Sequence, residues 1–336
     1  MGGNLALQAI DKGYQVLGYD LHPNEELQKQ GLQQEASLDE LLKKLPDPKI
    51  IFIYVPAGPV IDRILEQLAA VLSKGDIVID GGNSYWGDSI RRAHTLKEKG
   101  IYFIDCGTSG GVDGARNGAC FMAGGEPEAM EHVAPILKKL AVENGFVHTG
   151  QPGSGHFVKL VHNGIEFGML QAIGEGMDLL DNYREELNFP EILKTWNHGS
   201  VIRSWLIELM AKIYNEKEGF EDVPSYIEDT GEVNWLVADA MRMEVPVPVI
   251  AQSVMQLFAS RDTTRIADKA IAMMRNGFGG HPFGPDEEIK HERKFGKIEN
   301  AESDILYRKN QIKILQLSIF NNEVSSRSFV NPLEES

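Results

Sequence analysis

The chain has very few cysteines, no long apolar run and a shortage of cations. Cys106 and Cys120 are its two cysteines among 336 residues. That rules out a disulfide framework, and their spacing does not suit a metal site. No run of apolar residues is long enough to span a bilayer and no signal-peptide pattern is present, so a cytoplasmic location is expected. Lysine and arginine together number 33 against 49 acidic residues, a net charge of −16. A general nucleic-acid or membrane-surface binder would need a broad basic face, so neither partner is expected. An anionic small molecule stays open as a ligand, provided its cations are gathered locally.

What is present is ordinary for a large α/β protein: 42% apolar residues and 34 glycines, enough for two cores. Up to about Thr149, short apolar runs alternate with amphipathic segments. Strands are expected at Tyr14–Tyr19, Ile50–Val55, Asp76–Ile79, Ile101–Asp105, Cys120–Ala123 and Phe146–His148. Gly58–Leu72 is the clearest helix between them, and Ser37 with Glu40 three residues on starts another as a capping box. Such alternation predicts a doubly wound parallel sheet of the Rossmann type. From Ser154 helical periodicity dominates, with helices expected at Phe157–Leu180, Val201–Tyr214, Val249–Ser260 and Thr264–Arg275. The expected division is a dinucleotide-binding domain over 1–153, an all-α substrate and dimerisation domain over 154–281, and a C-terminal extension of unknown role over 282–336. That extension is charged and proline-containing at first, has a weak apolar period at Ile312–Ile319, and is expected to be partly mobile.

The stretch Gly153–Phe167 carries the chemistry. As a helix it places Lys159, His162, Asn163 and Glu166 on one face, surrounded by apolar positions typical of a buried helix. A lysine, an imidazole, an amide and a carboxylate there need partners or a ligand. The bland alternative is a satisfied Lys–Glu pair inside a bundle. Three Gly-rich turns follow strands, where ligands bind in such sheets: Val55-Pro56-Ala57-Gly58, Asp80–Ser84 and Gly107–Val112. A dinucleotide fingerprint would begin with a strand and Gly-x-Gly-x-x-Gly, but this sequence opens at the last glycine and helix start, Met1-Gly2-Gly3-Asn4-Leu5. The missing first strand predicts a groove in the sheet and weakened cofactor binding. A truncated start is the expected cause. Asp20 ends the second strand with no arginine after it, so it can accept ribose hydroxyls and would repel a 2′-phosphate, which favours NAD over NADP. A strand-end aspartate capping its own loop is an equally common reading.

Gly153-x-Gly-His-x-x-Lys-x-x-x-Asn163 resembles the catalytic-helix motif of β-hydroxyacid dehydrogenases, and Lys-x-x-His-Asn-Gly-Ile-Glu that of the 6-phosphogluconate dehydrogenase family in its short NAD-type form. Gly81-Gly-Asn-Ser84, Ser109-Gly-Gly111 and Phe278-Gly-Gly-His281 add to the likeness, which runs from Met1 to about His281. The resemblance implies NAD as cofactor, oxidative decarboxylation of 6-phosphogluconate, and no metal. It implies that Lys159 is the base and Glu166 the acid that protonates carbon, with His162 and Asn163 orienting hydroxyls. Gly2, Asp20, Val55, Pro56, Ala57 and Asn83 would meet the cofactor. Asn83, Ser109, Gly110, Gly111, His162 and Asn163 would hold the sugar acid, and Thr230 with Arg261, or with less support Arg265, its phosphate. Arg275 and His281 would reach the partner subunit's site, which implies a homodimer or tetramer. Phe167 replaces a family tyrosine and Glu228 a lysine of the long form, both losses of phosphate grip. The alternatives are a non-decarboxylating dehydrogenase of a smaller acid, and a catalytically impaired relative.

Overall fold

The computed structural model describes residues 1–285. The reading of the extension beyond 285, its apolar period and its mobility, lies outside the described residues. Two compact units emerge: Met1–Gln171 with Ser225–Arg261, and Ala172–Pro224 with the residues from Asp262.

In the first unit the chain runs α1 (Gly2–Asp11), β1 (Leu17–Gly18), α2 (Glu25–Lys29), β2 (Gln33–Gln34), α3 (Leu38–Lys44) and β3 (Ile50–Ile53). It continues with α4 (Pro59–Ala69), β4 (Ile77–Asp80), α5 (Trp86–Lys97), β5 (Tyr102–Ser109) and α6 (Gly111–Asn117). Then come β6 (Ala119–Gly124), α7 (Pro127–Leu140), β7 (Ala141–Gly150) and the long α8 (Ser154–Asp181). Five strands pair in the order β3-β4-β5-β6-β7. Pleating sends alternate side chains to opposite faces. Ile77, Ile79, Ile104 and Cys106 pack under α1 and α7, while Ile51, Ile53, Val78 and Phe103 pack under α3, α4 and α5. This is the doubly wound arrangement that the alternating pattern predicts.

Two details depart from expectation. β6 runs antiparallel to β5, while β3-β4-β5 and β6-β7 are parallel. Only the short α6 lies between Ser109 and Ala119, too little chain for a crossover of about a dozen residues. In addition, β1 pairs in parallel with β2 as a separate two-stranded sheet, and among the described residues no ladder joins it to β3. Val16 and Leu17 nevertheless pack into the two cores of the main sheet. The predicted cap holds: Ser37 Oγ accepts from Glu40 N at 3.2 Å.

α8 is less buried than its composition suggests. Leu160, Asn163 and Gly164 are covered, but Val158, Ile165, Met169 and Leu170 are exposed. An apolar circumference therefore does not imply burial within a single chain here. α11 (Glu232–Arg242) and α12 (Pro248–Arg261) cover the buried side, with Leu160, Val233, Leu236 and Val254 as a small core. Gly164 permits the contact, because a Cβ there would sit 2.2 Å from Leu236 Cδ2.

In the second unit α8 ends beside α9 (Phe189–Trp196) and α10 (Trp205–Lys217), closed around Met177, Phe189, Leu193 and Ile207. α10 begins four residues later than its apolar pattern, because Ser204 accepts from Ile207 N and caps it there. α13 (Ile266–Gly279) buries none of its residues in this chain.

Candidate functional site

The start of α8 is fixed by a carboxylate from the sheet. Asp105, fully buried on β5, accepts from Gly153 N at 2.6 Å and His156 N at 2.7 Å. Free amides at a helix start need such an acceptor, and negative charge there is favourable. Burial raises the Asp105 pKa, opposed by His156 and those two amides. The glycines of the Gly-x-Gly turn allow the close approach. A Cβ on Gly155 would lie 2.3 Å from Asp105 O, and one on Gly107 would lie 2.4 Å from Lys159 Cβ. The backbone of β5 thus touches the stem of the lysine.

One turn further on, the polar stripe converges. Lys159 Nζ is 3.3 Å from His162 Nδ1, and His162 Nε2 is 3.0 Å from Ser109 Oγ. His162 Nδ1 also lies 3.2 Å from Asn163 Oδ1 and 3.7 Å from Glu166 Oε2. Asn163 Nδ2 donates to Asn83 Oδ1 at 3.4 Å. Burial lowers the Lys159 pKa, against the raising charges of Glu166, Cys120 and Glu232. Burial and then the neighbouring lysine lower that of His162. Lys159, His162, Asn163, Glu166, Asn83 and Ser109 are therefore one cluster, drawn from α8, the end of β5 and the loop after β4.

The Asn83 loop is held from both sides. Asp80 Oδ1 accepts from Gly82 N at 3.0 Å and Asp80 Oδ2 from Ser84 Oγ at 2.8 Å. Buried Arg92 stands 3.5 Å from that carboxylate and donates to Asp62 and Gly58 O. On the other side Asp239 of α11 accepts from Tyr85 Oη at 3.0 Å and Trp86 Nε1 at 2.7 Å. The residue motifs pointed to none of Arg92, Asp105 or Asp239, and marked Asp80 and Gly107 only as the first residues of Gly-rich turns. The available signal was an aspartate ending each of two otherwise apolar strands, and these two are ladder partners.

Apart from Gly2, the cofactor candidates follow the ends of β1, β3 and β4. Gly2 opens α1, whose first turn has no side-chain cap, so its amides fit a phosphate group. Asp20 follows β1 by two residues and accepts from its own loop, His22 N at 2.8 Å, the arrangement of the bland reading. Val55, Pro56 and Ala57 lie between β3 and α4, with Pro56 and Ala57 exposed. Tyr54, also unanticipated, lies under these loops: its Oη is 3.1 Å from Thr108 Oγ1, and a Cβ on Gly81 would lie 2.4 Å from its ring. Gly110 and Gly111 begin α6, both with positive φ, 112° and 61°.

The expected phosphate grip looks different. Arg261 Nη1 is paired with Asp229 at 2.8 Å and Glu228 at 3.4 Å, chiefly the former raising its pKa. Thr230 Oγ1 donates to Glu232 Oε2. Arg275 and His281 belong to the second unit, as does Arg265. Arg275 is exposed, and Asn276 Nδ2 donates to His281 O at 2.8 Å.

Residues 1–150 match the family profile described as the NAD binding domain of 6-phosphogluconate dehydrogenase, and residues 155–301 its C-terminal domain. The second match runs past His281, where the sequence likeness was expected to end. YqeC of Bacillus subtilis, provisionally named a 6-phosphogluconate dehydrogenase, is 42% identical over 84% of this chain and 95% of its own length. An NAD(+)-dependent, decarboxylating 6-phosphogluconate dehydrogenase of Haloferax volcanii is 38% identical over 84% of this chain and 94% of its own. A solved Plasmodium falciparum 6-phosphogluconate dehydrogenase, described in apo form and with NADP+ or 6-phosphogluconate, superposes with a TM-score of 0.73 at 29% identity. That match covers 85% of this chain and 64% of the other. The Salmonella typhimurium 3-hydroxyisobutyrate dehydrogenase shares the fold at 19% identity, with a TM-score of 0.65 over 77% of this chain and 90% of its own. Family profiles over nearly the whole described chain, and relatives well above 30% identity, make this chain a member of the 6-phosphogluconate dehydrogenase family.

Proposed function

We propose that this protein oxidises and decarboxylates 6-phospho-D-gluconate to D-ribulose 5-phosphate and carbon dioxide, with NAD as the acceptor. The observation that carries this reading is one helix face bearing a half-buried lysine of lowered pKa and, two turns on, a half-exposed carboxylate. A lysine can act as a base when burial favours its neutral form. Lys159 then takes the proton of the substrate's C3 hydroxyl. NAD, held by the α1 amides, Asp20 and the loops at Val55–Ala57 and Asn83, supplies the hydride acceptor.

The ketone so formed is β to a carboxylate. Lys159, now an ammonium, donates to its oxygen and stabilises the charge that develops as carbon dioxide leaves. Lys159 then takes that proton back as Glu166 protonates C1. Ser109, Asn163 and the Gly110-Gly111 turn hold the carboxylate and hydroxyls. Arg275 and His281 complete the site of a partner subunit in a homodimer or tetramer, and the exposed apolar residues of α8 and α13 supply surface for it. A cytoplasmic setting and a division near residues 153 and 281 belong to the same reading.

A second reading, a dehydrogenase acting on a smaller or unphosphorylated acid, is favoured by the Arg261 pairing with Asp229 and Glu228. NADH formation with 6-phosphogluconate and with gluconate, each at saturating NAD, separates the two. Turnover of gluconate alone would remove the phosphorylated substrate, and Lys159→Ala turning over like the wild type would remove the mechanism.

A further inference from the structure

Resting on the decarboxylation reading, the proton count of one turnover leaves the site out of balance. The C3 hydroxyl proton ends on Lys159 and the Glu166 proton ends on C1, while the hydride goes to the nicotinamide and the carboxylate leaves as carbon dioxide. The overall reaction exchanges no proton with solvent. Lys159 therefore finishes one proton richer and Glu166 one proton poorer. Before the next turnover one proton must leave Lys159 and one must reach Glu166, seven positions and about 10 Å of helix rise away, through water or through a group between them. Among the described residues the two are not ion-paired with each other.

His162 stands between them. Its Nδ1 lies 3.3 Å from Lys159 Nζ and 3.7 Å from Glu166 Oε2. Its Nε2 is 3.0 Å from Ser109 Oγ. A hydroxyl oxygen accepts an N–H, so Ser109 can hold the tautomer with hydrogen on Nε2 and leave the Nδ1 lone pair facing the lysine. We propose that His162 is the shuttle that resets the acid–base pair, taking the proton from Lys159 on Nδ1 and releasing it from the same nitrogen to Glu166. The Lys159 N–H bond breaks as Nδ1–H forms, and Nδ1–H breaks as the Glu166 O–H forms. The ring passes through imidazolium and returns to its starting tautomer. Asn163 Oδ1, 3.2 Å away, can only accept, so it holds Nδ1–H once the proton arrives and competes with Ser109 over the resting tautomer. Burial and the nearby lysine disfavour the charged ring, while Asn163 and Glu166 favour it. Cys120 and Glu232 are the other titratable groups that bear on Lys159. Thr230 already donates to Glu232, and Cys120 sits on β6 opposite Ser109.

Two measurements test this. In the free protein, nitrogen-15 NMR of the histidine rings, with His162 assigned by its loss in His162→Gln, should show hydrogen on Nε2 and a bare Nδ1. Ser109→Ala should mix the tautomers. A bare Nε2 in the wild type would overturn the proposal. In rapid mixing with NAD and 6-phosphogluconate, His162→Gln should form one NADH per site in a burst and then slow. Its steady state should be about 100-fold below wild type, and added imidazole should raise the steady state without changing the burst. A His162→Gln protein slowed equally in both phases and blind to imidazole makes His162 an orienting group and ends the shuttle alone. Wild type inactive on every sugar acid ends both the shuttle and the reading beneath it. His162→Asn, checked for an unchanged melting curve, guards against a folding defect in the first variant.

Discussion

Gly107→Ala probes how closely the sheet must approach the catalytic helix. The added Cβ would lie 2.4 Å from Lys159 Cβ, 2.9 Å from its Cγ and 3.2 Å from Gly155 O. Carbon atoms in contact rest about 3.5–4 Å apart, so β5 and α8 must separate by about 1 Å. The helix cannot slide away cheaply, because Asp105 holds its first amides and Gly155 itself touches the β5 and β6 backbone. Overpacking of this kind costs about 1–3 kcal/mol. At about 2–4 °C per kcal/mol for a chain of this size or somewhat smaller, Tm should fall by several degrees. The displaced lysine should cost about 100-fold in kcat, the usual effect of ångström-scale misplacement. Thermal unfolding by circular dichroism and steady-state kinetics on the same sample give both numbers. Gly174→Ala is the control, since nothing lies within 4 Å of its Cβ position, and it should stabilise by about 0.5–1 kcal/mol. A Gly107→Ala protein with wild-type Tm and kcat would refute the close-contact reasoning.

Lys159→Ala should abolish turnover while leaving the oligomer seen by sedimentation unchanged; loss of the oligomer would recast the residue as structural. Because burial lowers the Lys159 pKa from the usual 10.5, the unfolded chain holds more protons between the folded value and 10.5, so this group's contribution to stability rises with pH across that window. Lys159→Met should therefore raise Tm at neutral pH, with the gain shrinking toward pH 10.5; a gain independent of pH would contradict it. Asp20→Ala should weaken NAD binding in calorimetry much more than NADP binding, and equal losses would remove the cofactor argument. Asp229→Asn with Glu228→Gln should release Arg261 from both carboxylates and lower KM for 6-phosphogluconate but not for gluconate, whereas no change would show that Arg261 does not meet the phosphate.

The helical face was legible because α-helical spacing is rigid: Lys159, His162, Asn163 and Glu166 fall in line whatever packs on them. The strands were legible from their apolar runs, though shorter or longer than expected at their ends. β1 shrinks to Leu17–Gly18, and β5 extends to Ser109 past Gly107, a residue depleted in strands. The direction of β6 was not legible, since it depends on the length of a connection that sequence periodicity does not mark. Nor were the buried acids. Asp80, Asp105 and Asp239 act through partners 2 to 154 positions away in sequence, and a local pattern cannot hold that information. The same holds for Arg261: its charge suggested a phosphate ligand, but its folded neighbours are Asp229 and Glu228.

We propose that this site oxidises and decarboxylates a phosphorylated sugar acid with NAD. That reaction is tested most directly by mixing the protein with 6-phosphogluconate and following NADH and carbon dioxide together, with NADP and gluconate in parallel. Equal amounts of NADH and carbon dioxide are expected, with NAD preferred to NADP and 6-phosphogluconate to gluconate. NADH without carbon dioxide would contradict the role of Glu166, and no NADH from any pairing would contradict the assignment of Lys159 as the base.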